Sequence, residues 1–129
     1  MDKIIRIIKF LLFFIIVLIL ISIFKSNEKQ LGNGYWYDIE GKRIFGPNID
    51  IPPCVERYKY NSKCIIVEQK PYNQQEDIIY ERTYNYPIGR NTTYYWIILK
   101  TNNTYYGPIL YEDMQIIIQK EKIDLKFKK

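Results

Sequence analysis

At 129 residues the chain holds one domain of common size plus a short appendage, and with no His and only two Cys it lacks the ligands for a zinc site or a His-centred triad. Its net charge of +5 gathers at the ends: residues 1–29 carry five basic against two acidic side chains, residues 120–129 five Lys against Glu121 and Asp124, and the stretch between 9 basic against 10 acidic. A basic balance confined to two chain ends is no footprint for nucleic acid, and no nucleic-acid partner is expected.

Phe10 to Phe24 is a run of fifteen residues interrupted only by Ser22, and the apolar pattern reaches back to Ile4 if Arg6 and Lys9 are tolerated. At about 1.5 Å per helical residue the fifteen span about 22 Å, and the stretch from Ile4 about 31 Å, so only the longer one crosses a bilayer. Lys9 can run its aliphatic stem up to the headgroups. Residues 1–25 are therefore expected to form one transmembrane anchor, with residues 4–24 in the lipid bilayer. A cleaved signal peptide shares the basic start and the apolar run. The exit Ile21-Ser22-Ile23-Phe24-Lys25-Ser26 lacks small residues at alternate positions, however, and the first Cys, Cys54, is too distant for a lipoprotein anchor. Lys3, Arg6 and Lys9 outweigh Lys25 and Lys29, between which lies Glu28, and this places the N-terminus inside. The expected location is the bacterial inner (cytoplasmic) membrane, crossed once, with residues 35–129 facing the periplasm or the exterior.

Residues 26–34 are short, polar and glycine-containing and read as a linker. Beyond them, thirteen Tyr, six Phe and two Trp in the whole chain favour strands, because aromatic and β-branched side chains fit a pleated, half-buried surface. Tyr35 to Ile39, Glu40-Gly41-Lys42 and Arg43 to Phe45 read as a hairpin closed by Gly46-Pro47. Cys54 to Lys59 and Cys64 to Lys70 flank the turn Tyr60-Asn61-Ser62-Lys63 as a second. Ile78 to Tyr86 offers another strand, and Thr93 to Lys100 pairs with Thr104 to Tyr106 before Gly107-Pro108. At 111–120 the period changes: Glu112 and Asp113 open a helix, Lys120 ends it, and Met114, Ile117 and Ile118 share one face. Ile123, Leu125 and Phe127 alternate with charged neighbours, either as a closing strand or as a frayed tail. The predicted fold is mainly β, a small antiparallel sheet of consecutive hairpins with one C-terminal helix, preceded by one transmembrane helix.

Ile51-Pro52-Pro53-Cys54-Val55, Tyr58-Lys59-Tyr60-Asn61, Ile65-Ile66-Val67 and Gln69-Lys70-Pro71 together resemble a motif of small exported Bacteroidetes proteins of unknown function, many of them lipoproteins. Tyr95-Trp96-Ile97-Ile98 through Tyr106-Gly107-Pro108 and Glu112-Asp113 is similar to the closing hairpin and helix of that family. The resemblance covers roughly residues 33–123 and implies a fold and a compartment but no activity. This chain departs from the pattern in having Leu110, not Ser or Thr, as the helix cap, and in lacking the lipoprotein Cys.

Cys54 and Cys64 would be free to form a disulfide in an oxidising compartment. Their places on the predicted hairpin, Cys64 opposite Lys59 and Cys54 opposite Gln69, argue for two separate thiols. Ser62, the only Ser beyond the linker, sits in a predicted turn, and no glycine pattern cradles a phosphate. The carboxylate pairs Glu76-Asp77 and Glu112-Asp113 suit a loop and a helix start. Asn91-Thr92-Thr93 and Asn102-Asn103-Thr104 match a glycosylation sequon and mark loops. No cofactor and no enzymatic activity are expected. The leading expectation is a membrane-anchored interaction or structural module of the envelope, contacting another envelope protein through strand edges or exposed aromatics such as Trp36 and Trp96. The alternative is an immunity-type protein guarding the membrane against a secreted toxin. A glycan hydrolase working with carboxylates alone is a remote third.

Overall fold

The computed structural model of the chain describes residues 1–23, 27–72 and 84–128. Helix α1 (Asp2–Ile23) has no buried residue and is long and apolar enough to cross a membrane or to act as a signal sequence. Beyond Lys9 the helix is apolar on every side, with no polar face to give to water, the pattern of a helix buried in a protein core or in a bilayer.

The domain is two antiparallel sheets of consecutive hairpins. Strands β1 (Glu28–Gly32), β2 (Tyr35–Asp38), β3 (Arg43–Phe45) and β4 (Asp50–Ile51) form the first, in that order. The second is β5 (Val55–Tyr60), β6 (Cys64–Gln69), β7 (Tyr94–Leu99) and β8 (Thr104–Ile109). Helix α2 (Tyr111–Lys120) follows β8. The mainly β fold with a C-terminal helix is as the sequence predicts; the split into two sheets is the structure's addition.

Residues 28–32, expected to be linker, are strand β1, paired with β2 from Glu28 opposite Asp38 to Gly32 opposite Tyr35. Their polarity is that of an edge strand, on which Leu31 alone is buried. Asn33 and Gly34, both at positive φ (55° and 86°), make the two-residue turn that Asn-Gly favours in hairpins.

Alternation along β6 and β7 assigns each side chain to one of two cores. Ile65, Val67, Trp96 and Ile98 face the first sheet and meet Leu31, Tyr35, Ile44 and Ile51 there. Cys64, Ile66, Tyr95 and Ile97 point the other way and are covered by Met114 and Ile118 of α2 and by Ile123 and Phe127 of the tail. The two central strands are thus sandwiched between a sheet and a helix and read as near-continuous apolar runs.

Helix α2 opens at Leu110 without a side-chain cap, with Glu112 and Asp113 in its first turn. Its end is tied off by the backbone: Ile123 N–H donates to Ile118 O (3.0 Å) and Lys122 N–H to Gln119 O (3.3 Å), with Lys122 at φ 53°. That is the Schellman arrangement, its usual Ile118 to Ile123 apolar contact included. Among the described residues the tail beyond pairs with no strand. It is held instead by Phe127 in the core and by Arg57, whose guanidinium lies 4.3 Å from the Phe127 ring centre and donates to Lys128 O. Of the strand expected over 78–86, residues 78–83 lie outside the described residues, and 84–86 are irregular.

Candidate functional site

Trp96, expected among exposed aromatics, is fully buried at the centre of the domain. Its position on β7 puts it on the same face as Ile98, against the first sheet, and its indole N–H donates to Gln69 Oε1 at 2.8 Å. The Gln69 amide in turn donates to Pro52 O (2.9 Å) and reaches Tyr86 Oη (3.2 Å). A buried amide so enclosed ties the link between β4 and β5 to the core. Trp96 is therefore part of the frame and offers nothing to a partner.

Trp36 is half-buried and belongs to neither core. On β2 it alternates with Tyr35 and Tyr37, which pack inward, and it stands directly across from Phe45 of β3 on the outer face of the first sheet. The Arg43 guanidinium lies 5.0 Å over the Phe45 ring, and Arg43 Nε is 3.7 Å from Asp50 Oδ1. Phe45 and Arg43 carry no mark in the sequence that separates them from core residues of a short hairpin. Only the register shows that they share a face with Trp36.

A second feature, unforeseen in the sequence, is a cleft of about 470 Å³ at one end of the sandwich, where β1, the β5–β6 turn and the end of β7 meet. Lys100 lies at its base with 4% of its surface exposed, its ammonium donating to Leu31 O at 2.5 Å. The Tyr60 ring forms a wall, with Lys100 Nζ 5.7 Å and Lys29 Nζ 5.3 Å from its centre. Asn61 and Ser62 form the rim. The signal for Lys100 was present in the alternation Tyr94, Trp96, Ile98, Lys100, which carries it onto the inward face.

Cys54 and Cys64 are not joined to each other. Val55 pairs with Gln69 at one end of the β5–β6 hairpin and Tyr60 with Ile65 at the other, so the two thiols lie at opposite ends of strands about 17 Å long, far beyond the roughly 7 Å limit between bridged Cα atoms. The register also differs from the predicted one: Cys64 sits one step past the Tyr60–Ile65 pair and across β7 from Leu99. Burial pushes the Cys64 thiol pKa up, with Lys100 and Lys63 opposing. Glu112 and Asp113 are exposed on the first turn of α2, and Glu76 and Asp77 lie outside the described residues. Among the described residues no cluster of three or more Cys, Asp or Glu could hold a metal ion.

No family model, no curated protein and no solved structure matches the chain.

Proposed function

We propose that the chain is a membrane-anchored interaction module of the bacterial envelope, held by α1 with its N-terminus in the cytoplasm and presenting the two-sheet domain to another envelope protein. The observation that carries this reading is the asymmetry of the two sheets. The second has its outer face covered by α2 and the tail, whereas the first carries on its outer face the half-buried pair Trp36 and Phe45 with Arg43 beside it. Aromatic and Arg side chains dominate the energetics of protein interfaces, because they bring large area and directional contacts at low entropic cost. The apolar length of α1, the basic flank Lys3, Arg6 and Lys9, and the resemblance to small exported proteins support the compartment.

The test is photo-cross-linking in intact cells. A photoreactive residue at position 36 or 45 of the full chain is expected to give one discrete adduct in the membrane fraction, absent when the probe replaces exposed Lys59. Identical, diffuse labelling from all three positions would count against an interaction face there.

A further inference from the structure

Lys100 presents a physical problem that the domain does not solve internally. A buried ammonium is costly unless its charge is compensated and its donors are satisfied. Among the described residues no carboxylate lies within ion-pair distance of it, and only one of its three N–H groups is taken, by Leu31 O. The Tyr60 ring lies 5.7 Å from the ammonium, and the cleft opens beside it.

The lining adds further donors beside the amide side chains of Gln30 and Asn33. Asn61 Oδ1 already accepts from the N–H groups of Lys63 (2.9 Å) and Cys64 (2.8 Å), so its amide NH2 is what remains for a ligand. Ser62 adds a hydroxyl at the rim, and among the described residues no Asp or Glu lines the cleft. Lys29 adds a second positive charge across the Tyr60 ring. Gly32 completes the arrangement, because a Cβ there would come within 3.0 Å of Lys100 Nζ and close the space beside the ammonium.

We propose that this cleft is a phosphate-binding site, with Lys100 as the charged anchor and Asn61 and Ser62 as rim donors. A phosphate group, with several strongly accepting oxygens and at least one negative charge, answers both deficits at once. Lysine suits it as a point charge, where a planar carboxylate would favour the fork of Arg. Burial pushes the Lys100 pKa down, as expected of an ammonium awaiting its counter-charge. The phosphate can come from a lipid headgroup or from a soluble phosphate ester. Leu31 follows the end of α1 by eight residues, at most about 29 Å of extended chain, so headgroups of the anchoring bilayer are within reach. The site does not depend on the interaction face proposed above; only its lipid source depends on the anchor.

The full chain in a phosphate-free detergent is titrated with inorganic phosphate at constant ionic strength, and in parallel placed in nanodiscs with or without phosphatidylglycerol. Thermal unfolding is the readout. Saturating ligand is expected to raise Tm by about 5 °C in at least one arm. A response to inorganic phosphate shows that a soluble phosphate group is sufficient; a response to phosphatidylglycerol alone identifies the headgroup. Lys100→Met, which keeps the aliphatic stem, is expected to abolish the rise. Asn61→Asp keeps both accepted bonds of the turn but adds a negative charge at the rim, and is expected to weaken binding at least tenfold. This second variant decides the matter if Lys100→Met does not fold. No response in either arm, or a wild-type response in the folded variants, overturns the proposal.

Discussion

The hairpin β2–β3 and the hairpin β7–β8 use the same packing device in different settings. In each, an aromatic ring on the first strand lies over a glycine of the returning chain: Tyr35 over Gly46, which directly follows β3, and Trp96 over Gly107 within β8, both glycines followed by Pro. In each, a Cβ at the glycine would run into the ring. The difference lies in where the polar end of the ring goes. The Tyr35 hydroxyl reaches the rim, 3.0 and 3.1 Å from the side-chain oxygens of Asn48 and Asn103, whereas the Trp96 N–H is sealed inside against Gln69. The first hairpin thus fastens the edge of the sandwich, and the second fastens its centre.

The largest effect that would break this comparison concerns the two tryptophans, which look alike in sequence. Trp96→Ala is expected to cost about 3–5 kcal/mol, because it empties the middle of the core and strands the Gln69 amide. Trp36→Ala on the outer face is expected to cost less than about 1 kcal/mol. Urea unfolding of the full chain in micelles, followed by far-UV circular dichroism, measures both. Equal costs would mean that the outer face carries part of the fold.

The glycines sharpen the comparison. Gly107 has φ 145°, a region L side chains rarely adopt, and a Cβ there would meet Trp96 Cε3 at 2.5 Å. Between Tyr95 and Ile97 the register shifts, so one residue of β7 faces two of β8 at this point. Gly107→Ala therefore combines backbone strain with a ring clash and is expected to cost about 2–4 kcal/mol. Gly46→Ala meets the Tyr35 ring without a positive φ, and about 1–2 kcal/mol is expected by the same unfolding measurement.

Much of this was legible and some was not, for physical reasons. Pattern reveals strands and their ends well where turn residues punctuate them, as at Glu40-Gly41-Lys42; at Gly107-Pro108, expected to end its strand at Tyr106, β8 instead runs on to Ile109. It reveals α2 because Met114, Ile117 and Ile118 recur at helical spacing. It misjudged residues 28–32, since an edge strand with one inward residue is as polar as a linker; Asn33-Gly34 between Leu31 and Tyr35 was the overlooked hairpin signal. Trp96 was misplaced because an aromatic residue in a run buried on both faces has no polar neighbours to show which way it points. Lys100 was passed over because a charge at a strand end is usually solvated, although its parity with Trp96 and Ile98 marks the inward face.

Alkaline titration tests the tyrosines that line both sheets. Burial raises the pKa of Tyr35, Tyr37 and Tyr95 above 10.0; Tyr58 and Asp38 add to the rise at Tyr37, and Glu68 to that at Tyr95. In the unfolded chain these phenols lose their protons near pH 10, and in the folded chain only above it, so the folded state holds more protons in that window. Their contribution to stability is full below pH 10 and is lost as pH rises through the folded values. Urea midpoints measured from pH 8 to 11.5 are expected to fall above pH 10 as the tyrosinate absorbance rises. A flat midpoint through that range would show that these rings are not desolvated.

The smallest effect concerns the end of α2, where no ring is involved. Lys122 occupies the left-handed position that glycine normally takes in a Schellman turn, at φ 53°. A side chain there costs about 1 kcal/mol, partly offset because glycine loses more freedom on folding. Lys122→Gly is therefore expected to stabilise the domain by about 0.5 kcal/mol, read as a small rise in the urea midpoint with unchanged slope. The gain arises because the turn must close for Ile123 and Phe127 to reach Cys64, Ile66 and Tyr95 on the outer face of the second sheet. A loss of stability on this substitution would mean that the Lys122 side chain contributes more than its backbone strain costs, and that the tail is held from its own surface as well as from the core.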